Sequence, residues 1–320
     1  MIQYRKLGHS DLEVSSVGLG VTQFAGGSGA LQNLIPAIPE EDRFEIVKMA
    51  LEGGINWFDT AELYGAGRSE KYLAEALAEL GEISQQTIVA TKWSPYLRFA
   101  GNLKKTIQER LDKLDPFPIG LYQIHNPKSL SSPKAEMNAM ADLVEEGKIR
   151  AIGVSDFKPD QMRLAQVTLE KRGLGLASNQ VNFNLLNRKI EGNGVMEVAR
   201  ELGISLIAWA PLASGILTGK FHKNTELLER IPAVRRKGIE KQIETSQPVV
   251  DLLFEIAAEY GSEPAQVALA WLIAQGDDVV AITGASRIGH VLEGIEAMKL
   301  KLSEDDIRKL DQVSLAVQEN

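Results

Sequence analysis

The chain has 320 residues, no cysteine, and a formal net charge of −8 from 35 Lys+Arg against 43 Asp+Glu. The lack of cysteine excludes disulfides, thiolate metal sites and a cysteine nucleophile, and the acidic balance argues against a nucleic-acid binder, which carries a basic patch or stripe. The start, Met1-Ile2-Gln3-Tyr4-Arg5-Lys6, lacks the apolar core of a signal peptide, and no apolar run approaches the ~18 residues of a membrane span, so the expectation is a soluble cytoplasmic protein with no membrane partner.

The first predicted element is a β-hairpin. Residues 4–7 and 12–15 flank Gly8-His9-Ser10-Asp11, and the hairpin is expected outside the main sheet. Short apolar, β-rich runs follow at 16–20, 56–59, 87–92, 119–125, 149–155, 177–182, 205–209 and 279–284. Helical patterns lie between them at 40–52, 70–80, 102–114, 133–146, 159–169, 190–202 and 249–260; another at 287–298 follows the eighth strand, and 304–315 closes the chain. Acidic Glu40-Glu41-Asp42 suit a helix start, and Gly53-Gly54 and Gly203 read as stops. This alternation predicts βαβ units and a parallel sheet. Eight strand–helix pairs predict an α/β fold: a (β/α)8 TIM barrel with an N-terminal hairpin and an extra C-terminal helix, as one domain over residues 1–320. An open doubly wound sheet is the rival.

Two long connections, 21–39 and 210–247, follow strand ends on the face where barrel active sites lie. The first contains Gly26-Gly27-Ser28-Gly29, which lacks the spacing and strand–helix context of a dinucleotide fingerprint. The second is basic near Arg230, Arg235, Arg236 and Lys237.

Chemistry concentrates at successive strand ends. The second strand ends on Asp59, the third on Lys92 and the fourth on His125, and the turn after Asp59 brings Tyr64. Each residue alone has a bland reading, as a helix cap or a packing residue. Three neighbouring strands offering Asp, Lys and His at one rim is hard to explain as packing. Only four His are present and only His125 ends a strand, so no metal site is expected and a metal-dependent hydrolase is the weaker reading. His9 and His222 read as solvated surface residues.

The runs Phe58-Asp59-Thr60-Ala61-Glu62-Leu63-Tyr64-Gly65, Ala90-Thr91-Lys92 and Gln123-Ile124-His125 resemble the aldo-keto reductase superfamily. The match runs in order from Leu7-Gly8 to Leu310. The resemblance implies a barrel that binds NADPH in an extended pose and a catalytic tetrad of Asp59, Tyr64, Lys92 and His125. Tyrosine is a feeble acid with an ordinary pKa of about 10, and a nearby cation favours its phenolate. Lys92 would supply that cation, Asp59 would orient it, His125 would hold the carbonyl oxygen, and Tyr64 would donate the proton to a small carbonyl substrate.

The resemblance extends to a cofactor cradle. Ser155, Asp156 and Gln180 would meet the nicotinamide carboxamide. Asp156 stands where the family usually has Asn; a carboxylate accepts but cannot donate, and its other reading is a cap for the helix near Pro159. Trp209 takes the place of an aromatic that stacks on the nicotinamide. The run from Pro211 to Lys220 resembles the pyrophosphate loop, with Pro211, Leu212, Ser214, Gly215, Leu217 and Lys220 as its contacts. Gly284, Ala285, Ser286 and Arg287 enter a helix, and amides there with Arg287 suit the 2′-phosphate of NADP(H). His290 would help hold that phosphate. Glu293 matches the family's adenine-side Glu, and Gly294 replaces its Asn partner.

The substrate-facing loops, 21–39, 93–101, 126–132 and the segment after Trp209, offer Phe24, Leu31, Trp93, Tyr96 and Phe99. They predict an apolar or aromatic pocket, or side chains that pack the loops down; the short stretch after the final helix predicts an open pocket and a broad substrate range. The alternative in a different class is a nicotinamide-binding, redox-sensing subunit of a larger assembly.

Overall fold

A computed structural model describes residues 2–26, 37–230 and 233–318. Strands β1 (Tyr4–Lys6) and β2 (Glu13–Ser15) pair antiparallel as the predicted hairpin. Eight parallel strands follow: β3 (Val17–Gly20), β4 (Trp57–Asp59), β5 (Ile88–Trp93), β6 (Ile119–Ile124), β7 (Ile149–Ser155), β8 (Leu176–Asn182), β9 (Ser205–Trp209) and β10 (Val279–Gly284). They close in chain order, with β10 pairing both β9 and β3. The predicted barrel is therefore correct and the open sheet is not. Among the described residues no helix is long and apolar enough to cross a membrane.

The period-two alternation of a strand sorts the side chains. Trp57 and Asp59, Ile88, Ala90 and Lys92, and Leu121 and Gln123 share the barrel-facing side. Phe58, Val89, Tyr122 and Ile124 pack outward in the main core with the helices. The interior is apolar low down, where Trp57, Ile88, Ala90, Leu121, Ala151, Ile207 and Val280 cluster with Leu7, Leu12 and Val14 of the hairpin. The hairpin thus seals the N-terminal mouth. Its Gly8 amide donates to Ser205 Oγ at 2.9 Å, and Arg5 donates to the carbonyls of Ile273 at 2.9 Å and Gly276 at 3.0 Å.

Helices α1 (Glu40–Glu52), α2 (Arg68–Glu79), α3 (Gly101–Leu114), α4 (Pro133–Glu145) and α5 (Pro159–Glu170) fall where the sequence puts them. The predicted helix 190–202 is two pieces, α6 (Lys189–Gly192) and α7 (Val195–Glu201), because Gly194 at φ +83° breaks it. The predicted loop 210–247 is largely helical: it holds α8 (Lys220–Lys223), a 3-10 segment, Thr225–Arg230, and the first half of α9 (Ala233–Tyr260). In that half Ile239 and Ile243 pack on the Ile216, Phe221 and Leu228 cluster, and so short an apolar stripe reads as loop. Helix α10 (Pro264–Ile273) was missed for the opposite reason. It is buried on every side, so it shows no amphipathic period. Helices α11 (Ile288–Lys299) and α12 (Glu304–Gln318) complete the chain.

Candidate active site

Parallel register brings the strand-end residues to one level. Asp59 pairs with Ala90 and Lys92 with Gln123 across adjacent strands. Beyond β4 the chain stays against β5: the Thr60 amide donates to Ala90 O at 2.8 Å and the Glu62 amide to Lys92 O at 3.2 Å. This carries Tyr64 up over Lys92.

Lys92 is fully buried, and its ammonium donates to Asp59 and, at 3.0 Å, to Thr60 O. Its Nζ lies 5.2 Å from the centroid of the Tyr64 ring. Burial drives the Lys92 pKa down, but the Asp59 carboxylate and the charge and hydrogen bond of Tyr64 outweigh it, and the net shift is upward. Asp59 also accepts from Gln123 at 3.1 Å and Gln180 at 3.0 Å. The buried carboxylate therefore has three donors, as a buried charge requires.

His125 follows β6 and meets Tyr64 edge-on, ring centroids 5.7 Å apart at 83°. Burial, then the Lys92 charge, pushes its pKa to about 3. It is neutral at ordinary pH, with one N–H to donate. Its Nδ1 is buried without a partner among the described residues. The structure thus brings Asp59, Tyr64, Lys92 and His125 together. It adds Gln123 and Gln180, whose bonds to Asp59 the sequence reading did not foresee. The signal for Gln123 was available, since it sits two residues before His125 on the same strand face.

Around the rim, the Ser155 hydroxyl donates to Gln180 O at 2.9 Å. Asp156 adopts φ +56°. Its carboxyl is pushed up by burial and down by a hydrogen bond from Trp209 and the charge of Lys128. It does not cap α5, whose N-cap is Lys158. Trp209 is the exposed end of an otherwise buried strand, and its bond to Asp156 fixes the indole at the opening.

Beyond Trp209 the chain curls. Leu212 is near the right-handed region at φ −102°, and Ala213, Ser214 and Gly215 follow at φ +47°, +57° and +90°. The turn is closed by the Ala213 and Gly215 amides, which donate to Ala210 O and Leu212 O, both at 2.9 Å. Pro211 is buried, and Leu217 and Ala285 are fully buried, so the latter two can offer only backbone to a ligand. Lys220 folds over Gly215, where a Cβ would lie 2.8 Å from its Nζ. Burial and then Arg287 lower the Lys220 pKa. Burial, Arg287 and Lys220 lower that of His290. Glu293, pushed up by burial, is the acidic neighbour that offsets them. Ser286 Oγ and His290 Nδ1 lie 3.0 Å apart at the start of α11. Two crowded cations and a helix N-terminus together fit a phosphate-bearing ligand. Gln23, which the sequence reading passed over, lies against Gly284, and a Cβ there would be 3.1 Å from its amide nitrogen.

Other sequence expectations need correction. Phe24 and Trp93 are fully buried and cannot line a substrate pocket; Trp93 donates to Asn102 at 2.9 Å. Tyr96, Leu97 and Phe99 are the exposed apolar side chains of that loop. His222 is not solvated but half-buried, 3.1 Å from Ser246 Oγ. His9 is exposed but 2.6 Å from Leu202 O. Leu31, Gly27, Ser28 and Gly29, and the side chains of Arg230, Arg235 and Lys237, lie outside the described residues.

Comparison with known proteins gives consistent matches. Residues 16–315 match the family described as "Aldo/keto reductase family". The chain is 31% identical to a probable aldo-keto reductase 1 of Glycine max, over 97% of this chain and 88% of that protein. It is 32% identical to the chloroplastic pyridoxal reductase of Arabidopsis thaliana, over 96% of this chain and 85% of that one. The solved structure of a glycerol dehydrogenase from Gluconobacter oxydans superposes with a TM-score of 0.83 at 26% identity, covering 99% of this chain and 96% of that one.

Proposed function

Because this chain belongs to the aldo/keto reductase family, we propose that it reduces aldehydes or ketones to alcohols with NADPH, and that Tyr64 donates the proton. The observation that carries this reading is the buried Lys92–Asp59 pair directly beneath Tyr64. When bound, the nicotinamide supplies a hydride to the carbonyl carbon. The carbonyl oxygen then needs a proton and, until it arrives, stabilisation of its growing negative charge. His125 donates its single N–H to that oxygen. At pH 7 a histidine with a pKa of about 3 is protonated on the order of once in 10⁴ molecules, so it is a poor source of the proton. Tyr64 gives its phenolic proton instead, and Lys92, held by Asp59, Gln123 and Gln180, balances the phenolate left behind. A proton from solvent restores the phenol.

Trp209, Ser155, Asp156 and Gln180 would hold the nicotinamide end. The 210–219 segment with Pro211, Leu212, Ser214, Gly215 and Leu217, and Lys220 beside it, would hold the pyrophosphate. Gly284, Ala285, Ser286, Arg287 and His290 would hold the 2′-phosphate, with Glu293 toward the adenine. A charge-assisted hydrogen bond contributes about 1.5–3 kcal/mol. Arg287→Ala is therefore expected to raise the Kd for NADPH about ten- to hundredfold, with NADH binding changed less than about twofold, read by quenching of tryptophan fluorescence. Equal weakening of both cofactors would remove Arg287 from the phosphate.

The function itself is tested with a panel of aldehydes, ketones and sugars, pyridoxal included, followed by NADPH absorbance with NADH in parallel. Steady NADPH consumption is expected. Tight binding without turnover would favour the redox-sensing alternative, and comparable use of NADH would overturn the cofactor preference.

A further inference from the structure

The loop that carries Tyr64 is held from outside the barrel by one face of α3. Arg110 and Lys113 are three residues apart and therefore neighbours on that face. Arg110 is buried, and its Nη1 donates to Glu62 Oε2 at 2.9 Å. Lys113 Nζ donates to Ala66 O at 2.9 Å. The two grips lie two residues before and two residues after Tyr64.

Each grip is tied further into the structure. Glu62 Oε1 accepts from the Ser94 amide and from Arg98, both at 2.6 Å, so the same carboxylate fastens the Tyr64 loop to the loop that follows Lys92. Arg110 Nε lies 3.1 Å from Glu70 Oε2, an ion contact without hydrogen-bond alignment. The other oxygen of Glu70 accepts from Thr91 at 2.6 Å, the neighbour of Lys92. Glu109 joins Arg110 and Lys113, at 2.7 Å from each. Beyond Tyr64, Gly65, Ala66 and Gly67 are left-handed in succession, at φ +60°, +56° and +81°. That conformation is unfavourable for alanine, so the turn needs an external tie. Lys113 supplies it, and glycine suits position 67 because its φ of +81° is one that side chains rarely adopt.

We infer that Arg110 and Lys113 are positioning residues for Tyr64: from outside the barrel they hold both flanks of its loop and so set the phenol over Lys92. This rests on the reading of Tyr64 as proton donor. Neither residue touches the reacting atoms, so their loss acts on geometry rather than on binding.

The test uses the full chain carrying Lys113→Met, Arg110→Met or Arg110→Lys. Arg110→Met leaves buried Glu70 without the cation beside it and Glu62 with Arg98 alone, and can fail to fold, whereas Lys113→Met removes a half-buried tie and an exposed pairing with Glu109. Amide hydrogen exchange at residues 61–69 is expected to speed up by about tenfold or more in Lys113→Met, with β5 unchanged. Turnover is expected to fall about ten- to hundredfold, the scale of a small misplacement of reacting groups, with KM and the NADPH Kd within about threefold. Arg110→Lys should recover part of what Arg110→Met loses. Unchanged exchange in the loop overturns the inference, and so does faster exchange with wild-type turnover. If the unmodified protein reduces no carbonyl, the proposed function falls, and loop exchange alone decides whether the grip exists.

Discussion

Tyr64→Phe is expected to lower carbonyl reduction by about a thousandfold, within the range that a positioned acid contributes, while the NADPH Kd moves less than about threefold. The substitution keeps the ring that meets His125 edge-on and removes only the O–H. No neighbour replaces that proton. His125 is neutral, and the Lys92 ammonium stays bonded to the Asp59 carboxylate and Thr60 O, where the Asp59 charge favours its protonated form. Stopped-flow absorbance of NADPH with saturating aldehyde measures the step directly. A variant that retains more than about a tenth of the wild-type rate would remove Tyr64 from the chemistry.

Lys92→Met is expected to damage both activity and stability. The side chain is fully buried against a carboxylate that is itself buried. Deleting one member of such a pair leaves an uncompensated charge and costs about 3–5 kcal/mol. Gln123 and Gln180 remain as donors to Asp59, which places the loss toward the lower end. Turnover should fall at least as far as in Tyr64→Phe, because the phenolate loses its counter-charge. Adding Asp59→Asn separates the two effects. With both charges gone, most of the stability returns, since a buried pair adds little over a neutral replacement, and turnover does not. Urea midpoints of the three proteins measure the first effect and NADPH consumption the second. Recovery of turnover in the double variant would show that the pair only holds the fold.

The architecture was legible because eight apolar runs alternate with helical patterns. Asp59, Lys92 and His125 were legible because each ends such a run. What was lost has physical causes. Trp93 looked like a pocket aromatic, yet it directly follows the inward-facing Lys92, and alternation turns it outward to the helices. Helix α10 has no polar face and so no period to detect. Gly194 splits a helix whose apolar pattern runs straight through it. Glu62 and Arg110 are 48 residues apart, and only the folded barrel places α3 beside the loop after β4. The sequence offers Asp156 as a helix cap or a cofactor contact; its bond to Trp209 depends on how β7 and β9 sit in the closed ring.

The hairpin at the sealed end also bears on the order of assembly. Arg5 finds its carbonyl partner 268 residues away at Ile273, and the Gly8 amide finds Ser205, 197 residues away. The hairpin also meets the early chain, where Trp57 Nε1 donates to Ser15 O at 2.9 Å and Asn56 Nδ2 to Glu13 O at 2.8 Å, but its bonds to Ser205, Ile273 and Gly276 carry the closure entropy of everything between them. The plug is therefore complete only once the ring has closed. The first half of the polypeptide holds Asp59, Tyr64, Lys92 and His125, yet Gln180, one of the three donors to Asp59, comes from the second.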